Sequence, residues 1–255
     1  MHRFFLPPEK CNGPVLLLSG SEAHHASEVL RARRGERVVV LDGVGREFLC
    51  EVSSVTPREV ALRVASTHSI PPLPYQITLL QAVSKGKTFG VIVEKATELG
   101  AQRMVPILSE RVVTQLDQEN SAGKIEKWRQ IAIESIKQCG SAWLPIIEAP
   151  VTPKEFLVRK KQFELQLIAS LQDDRRSPRE IFQSFVSEKG RLPKTVCIWV
   201  GPEGDFTPAE MSLIKSEGAL PVTLGPLVLR SETAAIYCLS ILNYELQAPT
   251  TQRRD

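Results

Sequence analysis

Between Val15 and Ala65 the apolar positions come in short runs: VLLLSG, RVVVLDG, EFLCEVSSV and VALRVAS. DG and GxG turns punctuate them. Val- and Leu-rich runs of this length predict strands, and their close spacing predicts a small β-barrel. One segment departs from the pattern: SEAHHASEVLRAR predicts a helix with Ser21 as its N-cap. STHSIPPLPYQ then places three prolines in eleven residues, which marks a domain boundary. The division expected is residues 1–70 and 75–248.

After Tyr75 the period changes. ITLLQAV is strand-like, and KTFGVIVEKATELG puts Phe89, Ile92, Val93, Ala96 and Leu99 on one helical face. RMVPIL follows as a strand. KIEKWRQIAIESIKQCG repeats the helical spacing through Ile125, Trp128, Ala132, Ile136 and Cys139 and stops at Gly140. Three further helices are announced by Thr152-Pro-Lys-Glu, Ser177-Pro-Arg-Glu and Thr207-Pro-Ala-Glu, each a hydroxyl at N-cap, proline at N1 and glutamate at N3. They separate the apolar runs LPIIEAP, LQLIASL, TVCIWV and PVTLG. Strand and helix alternating in this way predict an α/β domain with a mostly parallel sheet.

Composition narrows the chemistry. The five cysteines are scattered without C-x-x-C spacing, as expected of reduced thiols in the cytosol. All four histidines precede residue 70, so the second domain has none for a metal centre, a Ser-His triad or a general base. No metal is expected. The opening MHRFFLPPEKCNG lacks the apolar core of a secretory signal, and no run approaches the roughly 18 apolar residues of a membrane span. A cytoplasmic protein is expected. The net charge of +3 neither requires nor opposes a nucleic-acid partner.

Ligands of parallel sheets sit beyond the strands' carboxyl ends, where two segments stand out: GPEGDF after TVCIWV, and LGPLVLRSETA. Neither fits a phosphate-binding P-loop or a G-x-G-x-x-G fingerprint. A carboxylate about 4 Å from a phosphate charge costs roughly 1 kcal/mol in water and about 4 at an effective dielectric near 20. Glu203 and Asp205 therefore disfavour a polyanion and suit a neutral or positive nucleoside-like ligand held by backbone groups. The competing reading is a tight turn whose acids favour the following helix dipole. In the second segment Arg230 precedes Ser231, read as an N-cap, with Glu232 and Thr233 opening a long apolar helix. That reading competes with ordinary capping beside a surface arginine.

Taken together, G201-P-E-G-x-F, L224-G-x-x-x-L-R-x-E-T-A, K95-A-T-E-L-G, and M1-H-R-F-F with H25-x-x-x-V-L-R resemble the RsmE-type 16S ribosomal RNA (uracil-N3)-methyltransferases of the SPOUT superfamily. The resemblance runs over nearly the whole chain, in the family's order and spacing. It implies an N-terminal PUA-like barrel that binds RNA and a C-terminal SPOUT α/β domain with a trefoil knot. It also implies a homodimer that binds S-adenosyl-L-methionine and methylates a uridine of the small ribosomal subunit. Carried over by position, the cofactor set is Leu171, Gly201, Pro202, Glu203, Gly204, Leu224, Gly225, Leu229 and Thr233, and the reaction-centre pair is Arg230 and Glu232. Arg230 would stabilise charge on the uracil oxygens; Glu232 is a candidate proton acceptor, with water as the alternative.

Three positions depart from the family pattern. Asp205 stands where a second glycine is common, and Leu227 and Ser141 replace arginines. For RNA the candidates are Arg3, His25, Arg31, Arg33 and Arg34, with Lys85, Lys87 and Lys95 in the second domain. Each also reads as a solvated surface charge, and Lys95 as a partner for Glu94 or Glu98 along its helix. Two other functions stay open: a non-catalytic rRNA-binding assembly factor, and a methyltransferase acting on another RNA nucleoside.

Overall fold

The computed structural model describes residues 1–84, 86–111 and 118–247, without the side chains of 118–121. Lys85 lies outside the described residues. The chain divides into two compact units. One comprises Met1–Pro72 with Ile133–Leu144, the other Leu73–Ala132 with the chain from Pro145 on.

The first unit is built on β1 (His2–Phe5), β2 (Val15–Ser19), a short helix α1 (Gly20–His24), β3 (Arg37–Leu41), β4 (Arg46–Val55) and β5 (Glu59–Ser69). The strands form one sheet in the order β1-β3-β4-β5-β2, antiparallel except for β1 against β3. Burial alternates along β2 and β4, so Leu16, Leu18, Phe48, Cys50 and Val52 meet Phe4, Val38 and Leu62 in one core. Register shifts between β4 and β5 at Leu49/Cys50 and Val52/Ser54 bend the ladder, and the sheet is curled. The expected helix is shorter and starts earlier. Strand β2 runs directly into it, so the cap position falls on Ser19, which makes no side-chain cap bond, and Ser21 sits inside the first turn. After His24 the chain widens into a single π-turn, with Leu30 N donating to His25 O at 2.9 Å. Ala23 and Ala26 are its buried contacts.

The second unit follows the predicted alternation. Its elements are β6 (Gln76–Ala82), α2 (Thr88–Glu98), β7 (Arg103–Ile107), α3 (Gln118–Cys139, which belongs to the first unit from Ile133 on), β8 (Ile146–Ile147), α4 (Pro153–Val158) and β9 (Leu165–Ala169). Then come α5 (Pro178–Lys189), β10 (Thr195–Val200), α6 (Pro208–Ser216), β11 (Leu220–Val222) and α7 (Ser231–Leu246). All six strands are parallel in the order β11-β9-β10-β6-β7-β8. Helices that cover both faces of a parallel sheet bury its strands on both sides, and β6 is buried from Ile77 through Ala82.

Each of the three Ser/Thr-Pro-x-Glu signals forms a reciprocal capping box: Thr152 with Glu155, Ser177 with Glu180, and Thr207 with Glu210. The apolar faces of α2 and α3 are buried at Phe89, Ile92, Val93, Ala96, Trp128, Ala132 and Ile136, and the Phe89 and Trp128 rings lie 4.3 Å apart. The faces end sooner than the spacing suggests. Leu99 is the half-buried C-cap of α2, and Cys139, in the last turn of α3, is exposed.

Candidate functional site

Three neighbouring strands, β11, β9 and β10, deliver their carboxyl ends to one edge of the parallel sheet. Their outgoing bends bound a cleft that is partly open to solvent. Ala169, Ser170 and Leu171 form the first wall. Val200, Gly201, Pro202, Gly204 and Asp205 form the second, and Leu224, Gly225, Leu227, Val228 and Leu229 the third. Ser231 and Ala234 close the cleft from the start of α7.

The second wall is a tight bend, and its residues explain why. A side chain at Gly201 would begin 3.1 Å from Asp205 Oδ1 and 3.2 Å from Phe206 N, so a Cβ there would press on both. Gly204 has φ +87° and Asp205 φ +68°, both left-handed. Aspartate is among the few residues that visit this region, because its short carboxylate can bond locally. Here it does: Oδ1 accepts from Phe206 N at 2.8 Å, and Oδ2 accepts from Leu171 N at 3.4 Å. The carboxylate thus links two walls.

Arg230, not Ser231, is the N-cap of α7; its backbone is extended at φ −63° and ψ 153°, and no side chain caps the helix. The chain turns one residue earlier than the sequence suggests, which releases the Ser231 hydroxyl for longer contacts. It donates to Gly201 O at 3.0 Å and accepts from Gln81 Nε2 at 2.9 Å. Gln81 is fully buried at the end of β6 and also donates to Ala82 O. Gln81 has one signal in the sequence, a carboxamide inside the apolar run ITLLQAV.

Of the residues read as a cofactor set, Leu171, Gly201, Pro202, Gly204, Leu224, Gly225 and Leu229 line this cleft. Glu203 and Thr233 do not; both are exposed. Arg230 is exposed and Glu232 half-buried at the mouth of α7, and neither is on the wall. The second unit has two buried thiols, and burial pushes Cys197 and Cys238 up to about 12, so neither is a thiolate nucleophile at neutral pH. Among the described residues, no group of three or more His, Cys, Asp or Glu could hold a metal ion. No described helix is long and apolar enough to cross a membrane.

The basic residues differ in their engagement. Arg31, Arg33 and Arg34 are exposed, as is Lys87 at the N-cap of α2. Arg3 donates to Lys137 O and Gln138 O at the last turn of α3, and His25 packs edge-on to Phe4. Lys95 pairs with Glu94 at 2.7 Å and Glu98 at 3.0 Å, which raises its pKa. Ser141 spends its hydroxyl on Trp143 O and Trp143 N.

Comparison with known proteins adds to this geometry. Residues 71–243 match the RNA methyltransferase domain family, and residues 18–65 the RNA methyltransferase PUA domain. The chain is 30% identical to ribosomal RNA small subunit methyltransferase E of Bacillus subtilis, over 97% of this chain and 98% of that protein. A Legionella pneumophila chain solved in complex with its bound cofactor SAM is 33% identical, with a TM-score of 0.85, over 95% of this chain and 96% of that one. Ribosomal RNA small subunit methyltransferase E from Neisseria gonorrhoeae, solved bound to S-adenosyl methionine, is 25% identical, with a TM-score of 0.83, over 96% and 97% of the two chains.

Proposed function

Because the chain belongs to the RNA methyltransferase family of ribosomal RNA small subunit methyltransferase E, we propose that it transfers a methyl group from S-adenosylmethionine to N3 of a uridine in 16S rRNA. The observation that carries this reading is the cleft itself. It is formed by three bends at the carboxyl ends of parallel strands, rich in backbone groups and apolar side chains, and among the described residues no lysine or arginine lies on its wall. With the Asp205 carboxylate on that wall, the cleft suits a cationic sulfonium better than a phosphate.

The fit to the cofactor rests on the chemistry of the walls: backbone groups and apolar side chains suit a nucleoside, and the Asp205 carboxylate offers negative potential to a cation. Gly201, Pro202, Gly204, Leu224, Gly225, Leu229 and Leu171 would hold it. When bound, the cofactor supplies a methyl group activated by its sulfonium. Arg230, at the cleft mouth, orients the uracil and balances the negative charge that spreads onto its oxygens when N3 loses its proton. In this reading Glu232, one residue beyond Ser231, or a water takes that proton. Much of the rate comes from positioning, as in any in-line displacement.

The same reading makes residues 1–70 a PUA-like RNA-binding barrel and 75–248 a SPOUT domain with a trefoil knot. Supporting the knot, β10 lies between two strands that precede it in the chain, β9 and β6. It also makes the protein a cytoplasmic homodimer, with exposed apolar Leu227, Val228, Tyr237 and Tyr244 as candidates for shared surface. Arg31, Arg33, Arg34 and Lys87 are the proposed phosphate contacts.

Calorimetry with S-adenosylmethionine, followed by mapping of modified nucleosides in 16S rRNA from a strain lacking the gene, tests the proposal. Heat of binding and loss of one N3-methyluridine are expected. Binding without that loss would move the activity to another RNA, and no heat would leave a non-catalytic RNA-binding protein.

A further inference from the structure

The second wall of the cleft is held from outside by a segment that lies far away in the sequence. Ser109 and Glu110, just after β7, meet the buried carboxylate of Glu210: Ser109 Oγ donates to Oε2 at 2.8 Å and Glu110 N to Oε1 at 2.9 Å. Glu210 is also the capping-box glutamate of α6, accepting from Thr207 N at 3.0 Å. Three donors on one buried carboxylate fix the 109–110 segment against the start of α6.

Arg111 extends from that anchor. Its guanidinium donates to Gly204 O and, at 3.4 Å, to Asp205 O. Both bonds come from Nη1, so one end of the guanidinium clasps two successive carbonyls. They belong to the two left-handed residues of the bend, where an L-residue such as Asp205 costs roughly 1–2 kcal/mol and persists only if its surroundings hold it. Asp205 in turn bonds Leu171 N on the opposite wall.

We propose that Arg111 is a positioning residue that holds the 201–205 bend in its ligand-binding shape before the ligand arrives. This rests on reading the cleft as the cofactor site. Preorganised bends bind more tightly because less ordering remains to be done on binding.

The test compares wild type, Arg111→Ala and Arg111→Lys by calorimetry with S-adenosylmethionine, by steady-state methylation, and by amide hydrogen exchange without ligand. Arg111→Ala should raise the cofactor Kd about tenfold, the scale of one lost charged hydrogen bond. Its kcat at saturating cofactor should stay within about twofold of wild type, as expected when binding common to ground and transition states is lost. Exchange at Leu171 and Phe206 amides should quicken in the ligand-free protein. Lysine keeps a cationic donor and should recover most of the affinity.

Unchanged affinity and exchange in Arg111→Ala would overturn the proposal. So would a general loss of stability that lysine fails to repair. No heat with the wild type would instead remove the cofactor reading, leaving the exchange rates to decide whether the bend is held.

Discussion

The Ser231 hydroxyl stands between Gly201 and Gln81, donating to the Gly201 carbonyl at 3.0 Å and accepting from the Gln81 carboxamide at 2.9 Å. Three segments thereby meet at one oxygen: the end of β6, the bend after β10 and the first turn of α7. Replacing Ser231 by alanine leaves the half-buried Gly201 carbonyl without that donor and costs Gln81 one of its two acceptors. Unfolding in urea should show a loss of about 1–2 kcal/mol, with weaker cofactor binding by calorimetry. Wild-type stability and affinity in the variant would show that the contact carries nothing.

The two glycines of the bend predict opposite behaviour. At Gly204 the nearest atom to an added Cβ is Arg111 Nη1 at 3.9 Å, so Gly204→Ala meets only the cost of a left-handed backbone, roughly 1–2 kcal/mol. At Gly201 the backbone conformation is ordinary, and the new methyl would press on Asp205 Oδ1 and Phe206 N. Gly201→Ala should therefore disturb the Asp205 link to Leu171 and lower cofactor affinity more than Gly204→Ala does. Paired titrations of the two variants check the order.

Sequence and structure agree best where the chemistry is local. The capping boxes at Thr152, Ser177 and Thr207 need only four consecutive residues, and the buried runs of β6 and β10 need only their own apolar side chains. Both can be read without knowing the fold. The site's supports span larger separations. Ser231 acts on residues 30 and 150 positions away, and Arg111 on one 93 positions away. No spacing rule reports such pairs, and the insertion of β10 between β9 and β6 is equally silent in the order of segments. The cap of α7 falls at Arg230 and not Ser231 for a related reason: serine favours the cap when its hydroxyl is free, and here tertiary contacts claim it.

Acid should act first through carboxylates that folding holds ionised. Glu164 is held down to about 2 by the Arg191 guanidinium, which bonds both its oxygens, and by Lys194 N. A folded pKa below the ordinary 4.5 means this stabilisation is complete above pH 4.5 and is lost as pH falls towards 2. Its size is reduced by solvent screening, since the side chain is partly exposed. The stability gap between wild type and Glu164→Gln should be full at pH 6 and narrower at pH 3. A gap that does not change with pH would show that the pair is not what titrates.

Salt dependence separates free cations from engaged ones. Each phosphate contact contributes about 0.7–0.9 to the slope of log K against log salt. Exposed Arg31, Arg33 and Arg34, replaced together by alanine, should lower the slope for rRNA binding by about 2. Lys95 is already bound to Glu94 and Glu98, and Lys95→Ala should change it little. Equal slopes for wild type and the triple variant would move the RNA surface elsewhere.

Arg230 occupies a position that stability alone does not favour. It is the N-cap of α7 yet makes no cap bond, and its cation sits at the positive end of the helix dipole. A charge placed there costs roughly 0.3–1 kcal/mol. Arg230→Ala should therefore melt at the same temperature as wild type or slightly higher. Removing a donor that stabilises developing charge lowers kcat by about 10²–10³, and cofactor affinity should stay within about threefold because Arg230 is not on the cleft wall. Lysine at this position keeps the charge but loses the planar fork that meets two oxygens together, so Arg230→Lys should recover only part of the rate. Retention of the full rate by the alanine variant would take Arg230 out of the chemistry; a fall in melting temperature would instead give it a structural role.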